Sequence, residues 1–127
     1  MKRKMILLTI LIITVGVIMQ TEAASYCKIT SEEAKRVIDG SESYILLDVR
    51  TNSEFKKKHI GGAILIPDYA LSGRAETKLA DKDTLILIYC RSGYRSANAA
   101  HELIEMGYTN VFDIGGIIDW PYTTVSG

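Results

Sequence analysis

The residue placed for chemistry is a cysteine. Cys90 opens the stretch Cys90-Arg91-Ser92-Gly93-Tyr94-Arg95-Ser96, which lies between the apolar run Thr84-Leu85-Ile86-Leu87-Ile88-Tyr89 and a helix-like segment from Ser96 to Met106. A thiol there sits at the carboxyl end of a buried strand and the amino end of a helix, where backbone N–H groups and the helix dipole favour an anion. Arg91 and Arg95 add positive charge, so Cys90 is expected as the thiolate, the nucleophilic form near neutral pH. A lone cysteine ending a strand is otherwise simply a small buried hydrophobe. Gly93 between two arginines tips the balance, because it lets the chain curl until successive N–H groups point into one concavity.

The elements that must position this loop can be read on either side of it. Thr30-Ser31-Glu32-Glu33 is a capping box that opens a helix running to Asp39 and closed by Gly40. Tyr44-Ile45-Leu46-Leu47 is a continuous apolar run followed by Asp48-Val49-Arg50, the pattern of a buried parallel strand with polar residues at its end. A short helix covers Asn52 to Lys57, and Ala63-Ile64-Leu65-Ile66 before Pro67 makes another strand. Asp68 to Asp83 reads as a mixed loop or weak helix. Beyond the helix closed by Gly107 come a strand around Asn110 to Phe112 and a last helical turn containing Trp120. Strands alternating with helices at this spacing imply a single α/β domain, a mainly parallel sheet flanked by helices. Ligands of such sheets bind beyond the carboxyl ends of the strands, where Asp48 and Cys90 both fall.

The first residues stand apart. Lys2-Arg3-Lys4, the apolar run Met5 to Met19 and the small residues around Thr21-Glu22-Ala23-Ala24 describe a secretory signal peptide over residues 1–23, leaving a domain over 24–127. An uncleaved amino-terminal anchor is the alternative. Lipidation at Cys27 fits less well, since Tyr26 rather than a small residue precedes it. The expected location is periplasmic or extracellular, with no membrane contact once the signal is cleaved. The 127 residues carry 15 basic and 15 acidic side chains, and cleavage after Ala23 removes Lys2, Arg3, Lys4 and Glu22, so a formal charge of zero becomes about minus two. That balance excludes a nucleic-acid footprint. Cys27 and Cys90 are the only cysteines, too few for a disulfide framework.

These residues resemble the rhodanese-like sulfurtransferase family, in its single-domain exported form. Leu47-Asp48-Val49-Arg50, Glu54-Phe55 and His59-Ile60-Gly61-Gly62-Ala63 resemble the family's first signature. Tyr89 to Ser96 resembles its active-site loop, and Gly115-Gly116 with Trp120 its carboxyl-terminal signature. The resemblance implies that Cys90 takes sulfur from a small donor such as thiosulfate, holds it as a persulfide and passes it to cyanide or a thiol, with no cofactor and no metal. It implies that Arg91 and Arg95 neutralise the donor, that Arg95 also buttresses the loop, and that backbone N–H groups from Arg91 through Ser92, Gly93, Tyr94 and Arg95 to Ser96 hold the sulfur. A monomer is expected.

The remaining residues have plainer readings. Asp48 reads as an architectural partner of the arginine-bearing loop. Arg50 and Glu54 are spaced for a local ion pair, which makes them scaffold. His59, in the run Lys56-Lys57-Lys58-His59, reads as part of a solvated face, while the family implies that it orders the neighbouring turn. Neither His59 nor His101 has a second ligand at metal-binding spacing. Trp120 reads as core and Tyr94 as a wall of the pocket mouth. Two other functions stay open: a phosphatase or arsenate reductase of the same architecture, and a binding module without catalysis. Related phosphatases resemble a loop with one more residue between cysteine and arginine, and each extra peptide adds about 3.5 Å of contour. The four residues between Cys90 and Arg95 thus favour a single sulfur over a phosphoryl group.

Overall fold

The computed structural model describes residues 25–127; the segment read as signal or anchor lies outside them. Five parallel strands form one sheet in the order β1-β5-β4-β2-β3: β1 (Cys27–Lys28), β2 (Ile45–Asp48), β3 (Ile64–Leu65), β4 (Ile86–Cys90) and β5 (Val111–Gly116). The helices are α1 (Ser31–Asp39), α2 (Asn52–Lys57), α3 (Leu71–Lys78) and α4 (Tyr94–Glu105), with single 3₁₀ turns at Asp68–Ala70 and Ile117–Asp119. The α/β class and the parallel sheet expected from sequence are what the chain adopts.

Central β4 is buried along its whole length, which is why its sequence runs apolar without alternation. Its side chains nevertheless sort by parity. Ile86, Ile88 and Cys90 join Leu47, Val49, Leu71, Ala75, Leu79, Ala99 and Leu103 in the layer under α3 and α4. Leu87 and Tyr89 join Leu46, Ala34, Ile60, Ile114 and Ile117 in the layer under α1. The nucleophile's side chain therefore belongs to the α4 layer, and the residue before it braces the opposite one.

Several elements differ from the sequence reading. β1 pairs Cys27 with Phe112 and Lys28 with Asp113; two residues are too few to show a period, and the edge of β5 supplies the order. The stretch read as loop or weak helix holds α3, whose Leu71 and Ala75 are fully buried, so tertiary burial stabilises a helix that two small residues, Ser72 and Gly73, weaken locally. α4 begins at Tyr94 rather than Ser96, since Gly93 itself serves as N-cap. β5 runs on past Phe112 to Gly116 through an irregularity: Ile88 pairs with Asp113 but Tyr89 with Gly115, leaving Ile114 extra. This bulge rests on Gly115 at φ 88°, a left-handed conformation natural only to glycine. Its effect is to bring Gly116 beside Cys90. The last turn, Ile117–Asp119, ends just before Trp120.

Candidate active site

The loop after β4 folds back over its own cysteine. Gly93, at φ 106°, turns the chain so that its N–H donates to Cys90 Sγ at 3.0 Å. Sγ also lies 3.5 Å from the Ser96 hydroxyl oxygen, to which it donates. That hydroxyl is within 3.1 Å of the Gly93 carbonyl oxygen, its acceptor, and is itself buried. Cys90 has no exposed surface, while Arg91, Ser92 and Tyr94 are exposed. Arg91 makes no salt bridge among the described residues. Of the six loop residues expected to hold substrate, Gly93 and Ser96 touch the sulfur, and Arg91, Ser92 and Tyr94 face solvent.

The floor of the loop is made by β5. A Cβ on Gly116 would lie against the Arg91 carbonyl oxygen and 2.6 Å from Ser92 Cα, closer than atoms can approach. Glycine is thus the residue that lets the loop sit down on the sheet. Ile118 N–H then donates to the Arg91 carbonyl at 3.2 Å, pinning the loop from the other side. Gly116 and Ile118 were not among the expected site residues; the Gly115-Gly116 pair in the sequence was their signal.

Arg95 does not point at the sulfur. Its two Nη atoms donate to Glu54 Oε1 and Oε2 at 2.8 and 2.9 Å, a two-pronged pair that joins α4 to α2. Glu54 is itself the N3 residue of a capping box on Thr51. The Arg95 hydrogen bonds, supported by those from Thr51, hold the Glu54 carboxyl down at about 2, and Glu54 in turn raises the pKa of Arg95. The expected ion pair between Arg50 and Glu54 is therefore not made. Arg50 turns inward instead, donating through Nε and Nη2 to Asp48 at 2.7 to 3.1 Å and through Nη2 to the Lys58 carbonyl at 2.6 Å. Spacing along a helix gave the wrong partner because Arg50 precedes α2, at the bend that follows β2, so the helical spacing to Glu54 does not apply.

The Asp48–Arg50 pair is almost fully buried. Burial works against the Arg50 charge, yet the hydrogen bond to Asp48 and its negative charge outweigh that and raise the guanidinium pKa. Beneath it lies Tyr89, its ring 5.6 Å from the guanidinium carbon and its hydroxyl accepting from the Ile60 N–H at 3.0 Å. Burial, then the Asp48 charge, push the Tyr89 hydroxyl pKa up, so the phenol stays neutral. Asp48 is thus an architectural partner, though of Arg50 rather than of the loop.

His59 is buried rather than solvated. Its Nδ1 donates to the Phe55 carbonyl at 2.8 Å, its ring stacks on Phe55 with centroids 3.7 Å apart, and its backbone pairs with Val125. The run of three lysines before it masked this, because α2 ends at Lys57 and the chain then turns inward. Trp120 packs half-buried against the α1 layer. Among the described residues no three His, Cys, Asp or Glu side chains cluster as metal ligands would.

A buried sulfur under a glycine-turned loop at the carboxyl rim of a parallel sheet defines a class of protein with a cysteine nucleophile cradled by backbone N–H groups. The model of the rhodanese-like domain matches residues 30–121. The chain is 37% identical over 81 residues to the thiosulfate sulfurtransferase PspE of Escherichia coli, covering 64% of this chain and 78% of that one. It is 36% identical over 97 residues to the thiosulfate sulfurtransferase GlpE of Haemophilus influenzae, covering 76% and 89%. A solved structure described as a rhodanese with anions from E. coli superposes with a TM-score of 0.61 at 35% identity, over 67% of this chain and all of that one. The chain belongs to the rhodanese-like sulfurtransferase family.

Proposed function

We propose that the chain is an exported thiosulfate sulfurtransferase that works through a persulfide on Cys90, as a monomer and without a cofactor. The observation that carries this reading is the contact between the Gly93 N–H and Cys90 Sγ at 3.0 Å, at a loop whose size suits one sulfur. In the first half-reaction the Cys90 thiolate attacks the outer sulfur of thiosulfate. The sulfur–sulfur bond of the donor breaks, sulfite leaves with the bonding pair, and the outer sulfur remains on Sγ. Loop N–H groups then carry the charge on that sulfur. In the second half-reaction cyanide or a thiolate attacks the outer sulfur and Cys90 departs as thiolate.

Arg91 is left to meet the donor's negative charge, because Arg95 is committed to Glu54. The same commitment takes the arginine at the end of the loop away from an oxyanion, which speaks against the phosphatase and arsenate reductase reading. Since Cys90 is fully buried, donor entry requires the exposed Arg91–Ser92 segment to yield. Mass spectrometry after thiosulfate treatment tests the reading: a gain of one sulfur on Cys90 is expected, and an unmodified cysteine together with faster hydrolysis of aryl phosphates would overturn it. Export is tested by amino-terminal sequencing, which should begin near Ala24; an intact chain in the membrane fraction would establish the anchor.

A further inference from the structure

Asp113 is the last residue of β5 in step with both neighbouring strands. It pairs with Lys28 of β1 and with Ile88 of β4, and its carbonyl accepts from the Ile29 N–H at 3.1 Å. One residue later the bulge begins. The Asp113 side chain is 2% exposed and makes no salt bridge among the described residues. A carboxylate taken out of water without a counter-charge is costly, so its place in the sheet calls for a reason. Its partner is a backbone group two residues on: Oδ1 accepts from the Gly115 N–H at 2.9 Å. That bond spans the bulge, closes the chain over the extra residue Ile114 and fixes Gly115 at φ 88°. The glycines permit this geometry, and the carboxylate selects it.

The geometry reaches the sulfur along a short chain of contacts. The Gly115 carbonyl accepts from the Ser96 hydroxyl at 3.4 Å, and the same hydroxyl oxygen lies 3.5 Å from Cys90 Sγ. Ser96 is fully buried, so its one proton is divided between the Gly93 carbonyl at 3.1 Å and the more distant Gly115 carbonyl. While Cys90 is a thiol, its S–H donates to the hydroxyl oxygen. Once Cys90 ionises, Sγ becomes an acceptor and the hydroxyl proton can turn to it, which stabilises the thiolate. We propose that Asp113 is a positioning residue for sulfur transfer: its carboxylate sets the Gly115 carbonyl, and through it the Ser96 hydroxyl, for the ionisation of Cys90. The proposal rests on the sulfurtransferase reading and adds to it a residue that touches neither donor nor sulfur.

The test is made in a Cys27→Ser background, so that Cys90 is the sole thiol. Ionisation is read as the ultraviolet absorbance of the thiolate that Cys90→Ser lacks, and turnover with thiosulfate and cyanide. Asp113→Asn and Asp113→Ala remove the same charge, but the asparagine keeps an oxygen for the Gly115 N–H. The Cys90 midpoint should stand about one pH unit higher in the alanine variant than in the asparagine variant, and kcat/KM about tenfold lower. Asp113→Val, which fills the space without offering an acceptor, takes the place of the alanine variant if that one does not fold. Adding Ser96→Ala should erase most of the difference between the two. Equal midpoints overturn the proposal whatever the melting temperatures, because a merely structural role would move the melting temperature alone. A difference that survives Ser96→Ala overturns the route through the hydroxyl and the proposal with it. Absence of cyanide turnover in the unmodified protein overturns the sulfurtransferase reading, while the Cys90 midpoints still decide the role of Asp113.

Discussion

The two ends of the sheet differ in a way that separates room from reactivity. The larger cavity, about 810 Å³, lies at the amino end, lined by Val37, Leu85, Leu87 and Phe112 with Arg36 and Glu33 beside them. At the carboxyl end the hollow next to the loop is only about 220 Å³ and is walled by Ser92, Gly93, Gly115 and Gly116. Yet the buried thiol, the inward Asp48–Arg50 pair and the Glu54–Arg95 clasp are all at the second. Volume alone points to the wrong pole. What marks the reactive end is the density of glycines in special conformations and of polar groups with fixed partners, both of which restrict the chain around one atom.

That contrast is broken or sharpened most strongly by Cys90→Ser, which should abolish sulfur transfer, a loss of at least about a thousandfold, with the thermal midpoint little changed. Residual turnover near the original rate would move the chemistry elsewhere. Next comes Gly116→Ala. Its methyl group has to displace the loop backbone, so activity should fall by about a hundredfold and stability by about 1–3 kcal/mol; a variant with unchanged kinetics would show that the loop need not rest on β5.

Glu54→Gln should cost about tenfold in activity by releasing Arg95, and it carries a pH signature. Glu54 is held at about 2, below its unfolded value, so the clasp stabilises the native state above the unfolded pKa and is lost as pH falls through the folded one. The unmodified protein should therefore lose part of its thermal stability between about pH 4.5 and 2, a component the glutamine variant should lack. Parallel curves for the two proteins would reduce the clasp to a surface contact. The smallest effect belongs to the amino end: Arg36→Ala should change transfer by less than about twofold and stability by less than about 0.5 kcal/mol. A large kinetic defect there would show that the big cavity takes part in turnover.

The sheet, its parallel sense and the helix after Cys90 were legible because buried parallel strands and capped helices leave periodic and positional marks. The short helix read over Asn52 to Lys57 forms with those bounds, opened by a second capping box, Thr51 to Glu54, of the same kind as Thr30 to Glu33. The exchange of partners between Arg50 and Arg95 was not legible at all. It depends on α4 bringing residue 95 to residue 54, a contact between positions 41 apart, and no local spacing encodes that. His59 shows the same limit, since a lysine run on one turn says nothing about where the next residue's ring turns. The bulge at Gly115 left a trace in the glycine pair, but its role in seating the loop appears only once β5 is paired with β4.

β1 enters beside the first half of β5, at the pole away from Cys90. A tether or solid support joined at Ser25, two residues ahead of β1, would leave the reactive pole facing outward. The same attachment made after Gly127, whose N–H is bonded to the Lys56 carbonyl at 2.8 Å, would hang from the end of α2, the helix that carries Glu54.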